Sequence, residues 1–121
     1  MTRPSLDHLF VHVADLAASH QFYVERIGLD VLMREPGYLR IGSADGGFFM
    51  GMEERPEDQV GSIGVEIVIS VPDVDRLARD LAAAGIEISE PAEQPWGARH
   101  AWTHDPSGYR ISLCSPIRDA V

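Results

Sequence analysis

From residue 8 onward the apolar side chains fall on every second position. Leu9, Val11 and Val13 share one side of an extended chain, and His8, Phe10 and His12 share the other. Beyond Val13 the period lengthens: Leu16, Phe22, Tyr23 and Ile27 recur at helical spacing, with Asp15 placed to cap the first free amides and Gly28 to end the helix. Along residues 65–71 the alternation returns, Val65, Ile67, Ile69 and Val71 standing against Glu66, Val68 and Ser70. Asp73 follows, then Val74, Leu77, Ala78 and Leu81 at helical spacing, then Gly85. The step from capping Asp to terminating Gly is 13 positions in the first copy and 12 in the second, so the chain reads as one unit used twice.

Three further strands are predicted after each helix. In the first half they cover 29–34, 38–42 and 48–52, separated by Pro36-Gly37 and Ala44-Asp45-Gly46-Gly47. In the second they cover 86–88, 98–103 and 109–114, with turns at Pro95-Trp96-Gly97 and Asp105-Pro106-Ser107-Gly108. Each half is thus β-α-β-β-β and the class is α+β. Module one spans roughly 5–54, a polar linker roughly 55–62 and module two roughly 63–115, within a single domain over 1–121. A four-stranded sheet with one helix leaves a face uncovered, so neither half is expected to be stable alone.

Charge narrows the partners. Ten basic residues, all Arg, against 19 acidic ones give a net charge of −9, which repels phosphate backbones and anionic membranes and favours small cations. No run reaches the ~18 apolar residues of a membrane span, and the N-terminus lacks the apolar core of a signal peptide. A lone Cys114 in an apolar run is expected to be a buried thiol in a reducing, cytoplasmic setting.

The order Leu6-Asp7-His8, Val13-Ala14-Asp15-Leu16, Phe22-Tyr23, Ile27-Gly28-Leu29, Val71-Pro72-Asp73-Val74, Pro95-Trp96-Gly97 and Asp105-Pro106-Ser107-Gly108 resembles the vicinal oxygen chelate superfamily, which contains glyoxalase I, bleomycin-resistance proteins and extradiol dioxygenases. The resemblance covers nearly the whole chain and implies two βαβββ modules whose curled mixed sheets form a cleft, usually within a homodimer. In metal-using members the ligands come from the first and last strands of each module. At those positions this chain carries His8, Gly51, Glu66 and Ser112. Glycine offers no donor and a neutral serine hydroxyl is a poor one, whereas a divalent catalytic ion generally needs about three protein ligands. The expectation is therefore no metal and no cofactor, with His8 and Glu66 as the ligands should an ion bind, and His12, His100 or a substrate oxygen completing its shell.

The expected ligand-binding cleft comprises His8, Phe10, His12, Tyr38, Phe49, Glu66, Trp96 and Ser112. Gly51 and Ser112 are read as bulk removed to admit a larger ligand, and a His8–Glu66 hydrogen bond as the bland use of that pair. Trp96 is the ring expected to stack on an aromatic or cationic ligand, while Trp102 is assigned to the core. One of Arg40, Arg99 and Arg110 is expected to meet Glu66 or a ligand carboxylate, the solvated sheet edge being the ordinary alternative. The function that follows is sequestration of a small molecule, as in the bleomycin-resistance branch and hence in antibiotic resistance. The alternative is a metal-dependent glyoxalase-like lyase or isomerase, or a dioxygenase, using His8 and Glu66.

Overall fold

The computed structural model describes residues 7–61 and 65–116. Leu6, the first residues of module one and the junction at 62–64 lie outside the described residues. The chain divides into two compact units, 1–61 and 62–121.

In the first unit, β1 (His8–Val13) leads into α1 (Leu16–His20), which widens into π-helical turns over Gln21–Ile27. Three strands follow: β2 (Asp30–Glu35), β3 (Tyr38–Gly42) and β4 (Phe49–Glu54). The sheet order is β1-β4-β3-β2, with β1 parallel to β4 and the other pairs antiparallel. Asp15 Oδ1 accepts from the Ala18 amide, and Glu54 reaches across from β4 to accept from the Leu16 amide, so two carboxylates hold the helix start. At the other end Gly28 adopts φ 101°, and the amides of Gly28 and Leu29 both return to the Tyr23 carbonyl. Val11, Val13, Leu39, Ile41, Met50 and Met52 are buried, as are Phe22 and Tyr23, and together they form the core of this unit.

The second unit repeats the plan. β5 (Glu66–Ser70) precedes α2 (Val74–Ala83), and β6 (Ala92–Glu93), β7 (Ala98–His104) and β8 (Arg110–Pro116) complete a sheet of order β5-β8-β7-β6, with β5 parallel to β8. Asp73 caps α2 through the Arg76 amide, and Ser115 Oγ accepts from the Val74 amide, standing where Glu54 stands in the first unit. Ile67, Ile69, Ala101, Ile111 and Leu113 pack with Val74, Ala78 and Leu81.

One strand differs from expectation. Residues 86–88 contribute only an isolated bridge, Ile88 to Thr103, and the paired edge strand is instead Ala92–Glu93. Ser89 remains attached to Trp102 in both directions, its amide donating to the carbonyl and its Oγ accepting from the amide. Pro91 then interrupts the edge, because proline has no N–H to give to a ladder.

Candidate ligand-binding faces

With one face of each sheet covered by its helix, the polar and aromatic residues gather on the other. In the first unit the strand register sets His8 beside Phe49, Phe10 beside Gly51 and Arg40, and His12 beside Glu53 and Tyr38. Of the expected residues, His8, Phe10, His12, Tyr38 and Phe49 thus lie on one face. His8 stacks on Phe49 with centroids 4.6 Å apart and planes 5° from parallel, while its Nδ1 lies 2.6 Å from Asp7 Oδ2. Phe10, 45% exposed, meets His12 edge-on and lies 6.5 Å from Tyr38.

Arg40 occupies the middle of this face. Its Nε donates to Tyr38 Oη at 3.1 Å, and its guanidinium carbon sits 4.4 Å from the Phe49 centroid and 5.8 Å from that of Tyr38. Gly51 is buried directly below: a Cβ there would come within 2.8 Å of Tyr38 Oη and 3.4 Å of Phe10 Cδ1. The glycine is therefore not vacant room for a ligand, as the sequence suggests. It lets the Tyr38 ring lie flat across the sheet.

In the second unit the face carries Glu66, Val68, Arg110, Ser112, Trp102 and His100. Ser112 is fully buried and its Oγ lies 2.6 Å from His100 Nδ1. Trp96 Nε1 donates to His100 Nε2 at 3.2 Å, which makes Nε2 the acceptor and places the imidazole proton of the neutral ring on Nδ1, donating to Ser112. His100 also lies face to face with Trp102, at 5.3 Å and 21°, and edge to face with Trp96. Trp102 in turn donates from Nε1 to Glu66 Oε2 at 3.2 Å. Glu66 Oε1 accepts from Arg110 Nε at 2.6 Å, and the Arg110 guanidinium lies 5.7 Å from the Trp102 centroid. Chiefly through the Arg110 hydrogen bond, and further through Trp102, the Glu66 carboxyl is held below the usual carboxylate range, desolvation opposing only in part.

Equivalent positions in the two ladders align these faces. Tyr38 and His100 correspond, each pairing two residues beyond Gly51 or Ser112, and each leans diagonally onto that small residue. Arg40 corresponds to Trp102 and Phe49 to Arg110, so cation and ring have exchanged strands while keeping their contact. His8 corresponds to Glu66.

Several expectations change. Trp102 belongs to the open face, not the core, because its strand parity is that of Ser112. Glu66 accepts from Arg110 and Trp102 within its own unit, and His8 lies against Asp7 and Phe49 within its own. Ser112 is the buried anchor of His100 and not a lining residue. His100, Trp102, Arg40 and Arg110 are the face residues that the sequence underrated; the parity of 98–104 and 38–42 was the available signal.

Chemically the arrangement is poor for covalent catalysis. Ser112 is inaccessible and faces the protonated nitrogen of His100, so the imidazole cannot take its proton. Of the positions at which the resemblance places metal ligands, Gly51 has no donor, Ser112 Oγ lies against His100, and both Glu66 oxygens accept hydrogen bonds. Among the described residues no three His, Cys, Asp or Glu side chains gather as an ion would need, and no helix is long and apolar enough to cross a membrane.

Comparison with known proteins agrees with this architecture. TnmS3, an antibiotic binding protein from Streptomyces sp. CB03234, superposes with a TM-score of 0.80 at 25% identity, covering 97% of this chain and 99% of that one. A glyoxalase/bleomycin resistance protein from the same strain gives 0.70 at 27% identity, over 89% of this chain and 98% of its own. The bleomycin resistance determinant encoded on transposon Tn5 shares the fold, with a TM-score of 0.70 at 20% identity over 93% of this chain and 98% of its own. Uncharacterized proteins of Mycobacterium bovis and Mycobacterium tuberculosis are 30% identical over 88% of this chain and 80% or 72% of theirs. The family model of the glyoxalase/bleomycin resistance protein/dioxygenase superfamily matches residues 5–113, and the chain belongs to that superfamily.

Proposed function

We propose that this protein binds a small, flat aromatic molecule on its open sheet faces and holds it without chemical change or a metal ion. The observation that carries the reading is Trp96, which is 65% exposed while its indole N–H is tied to a buried histidine. An exposed ring held in place keeps its apolar face for a partner at little further entropic cost. His100 and Trp102 extend the same surface, and an antibiotic binding protein is among the similar structures. An antibiotic with a planar aromatic part is the corresponding ligand class, and by resemblance the working form is a homodimer.

Titration with planar aromatic antibiotics, followed by intrinsic tryptophan fluorescence, tests this reading. The expected result is saturable quenching, with binding weakened about 2- to 30-fold in Trp96→Phe, the loss of one stacked contact of roughly 0.5 to 2 kcal/mol. Prior treatment with a strong chelator is expected to leave the affinity unchanged. Absence of quenching by every compound, or binding that disappears with the chelator and returns with a divalent ion, overturns it.

A further inference from the structure

The two faces treat their central cation differently. In the second unit Arg110 lies against Trp102 and is neutralised by Glu66. In the first unit Arg40 lies against Phe49, but the position corresponding to Glu66 is His8, which offers no carboxylate. Among the described residues none forms an ion pair with Arg40. The acids that share its surroundings are committed elsewhere or stand apart: Glu53 to Arg55, Asp7 to His8 and Asp30 to the Ala44 amide, while Glu35, opposite Tyr38 in the ladder, makes no ion pair with it.

Arg40 is nonetheless half-buried and held in place. Its Nε is spent on Tyr38 Oη, and its plane is supported by Phe49. The edge left over is that of Nη1 and Nη2, whose parallel N–H bonds match the two oxygens of a carboxylate. A half-buried cation that has given up part of its hydration without gaining a counter-ion is a site for one. Arg40 shares its stretch of the face with Phe10, across Gly51 in the ladder, with Tyr38 at its Nε, and with Met33, 39% exposed and paired with it on the next strand, so a ligand that brings the anion meets rings and apolar side chains.

We propose that Arg40 receives the carboxylate of an aromatic acid whose ring lies against Phe10 and Tyr38, deepening the small-molecule reading above, on which it rests. The overall charge of −9 opposes anions, yet at physiological salt that field is screened beyond about 8 Å, whereas a direct guanidinium contact is not. The protein would thus select carboxylates by contact and not by attraction at a distance.

Calorimetric titration of the full chain with benzoate, 2-naphthoate and indole-3-carboxylate, each beside its neutral carboxamide, tests the assignment. Wild type is expected to bind at least one acid about 10- to 100-fold more tightly than its amide, the range of one charge-assisted bidentate contact. Arg40→Gln is expected to bring acid and amide to the same affinity, and Arg40→Lys to restore part of the difference, with unchanged circular dichroism showing that both variants fold. Equal affinities in wild type, or a preference that survives Arg40→Gln, overturn the carboxylate site and leave aromatic binding standing. Failure of all six compounds to bind overturns the carboxylate site, while the antibiotic titration above decides the small-molecule reading on its own.

Discussion

At the scale of single residues, the consequential atoms are those that fill the two small positions, Gly51 and Ser112. Removing the Ser112 hydroxyl leaves His100 Nδ1–H buried with nothing to accept it. Ser112→Ala is therefore expected to destabilise the protein by about 1 to 3 kcal/mol, the cost of an orphaned buried donor, and urea unfolding measures it. A shift below the error of the extrapolation would mean that His100 turns to another acceptor. Gly51→Ala behaves differently. Its new methyl meets the free end of a side chain and not backbone, so Tyr38 can swing away at small cost, but Arg40 Nε then loses its acceptor. Stability should change by only about 1 kcal/mol, since alanine also restores the strand propensity that glycine lacks. The response of the Tyr38 ring and Arg40 Nε signals in NMR spectra is expected to be large.

The same residues mark how far sequence reading reaches. The face that His8, Phe10 and His12 share follows from alternation alone, and so does the burial of Val11 and Val13. What Gly51 and Ser112 do does not, because it depends on which residue of the adjoining strand leans over them. That is a matter of register and rotamer, separated by 12 residues of chain in the case of His100 and Ser112. Trp102 differs for a related reason: a large aromatic in mid-strand is ordinarily core, whereas its pairing with Ser112 sets it on the open side.

At the scale of elements, both helices are held to their sheets by the same two devices, a capping aspartate and an acceptor from the strand parallel to the first. In the first unit the acceptor is the Glu54 carboxylate; in the second it is the Ser115 hydroxyl, at a longer 3.4 Å. Asp15→Ala is expected to cost about 0.5 to 2 kcal/mol in chemical denaturation, the usual range for a lost N-cap, and Asp73→Ala a similar amount. A second tie joins α2 to β7, where Arg99 donates from Nε and Nη2 to both oxygens of Asp75, at 2.7 and 2.9 Å. The Arg99 hydrogen bonds hold the Asp75 carboxyl below its ordinary range. Because its folded pKa lies below its unfolded one, Asp75 contributes stability at neutral pH that is lost as pH falls below about 4 toward the folded value. Thermal melts should therefore show Asp75→Asn less stable than wild type at pH 7, with the gap closing on acidification. The pair is partly exposed, so the effect is small and weakens with salt. A gap that widens toward acid would contradict the assignment.

At the scale of the whole molecule, the duplicated βαβββ plan was legible because it rests on local signals, two changes of period bounded by Asp and Gly, repeated at nearly equal spacing. The weak edge strand of the second unit was not, since Pro91 sets its limit through a missing hydrogen bond that composition does not reveal. Net charge acts at this scale as well, and it makes a prediction that separates global field from local contact. An aromatic acid approaching a protein of charge −9 is repelled at long range, so adding salt should raise its association rate. Once seated, the anion is held by hydrogen bonds to Arg40, which salt screens less because the contact excludes solvent, so the dissociation rate should rise by a smaller factor. Stopped-flow measurements on 2-naphthoate between low and physiological ionic strength should then show tighter overall binding as salt increases, the reverse of simple ion pairing. Binding that weakens with salt, through a falling association rate, would show that a positive local field, and not a short-range contact against an unfavourable one, governs capture.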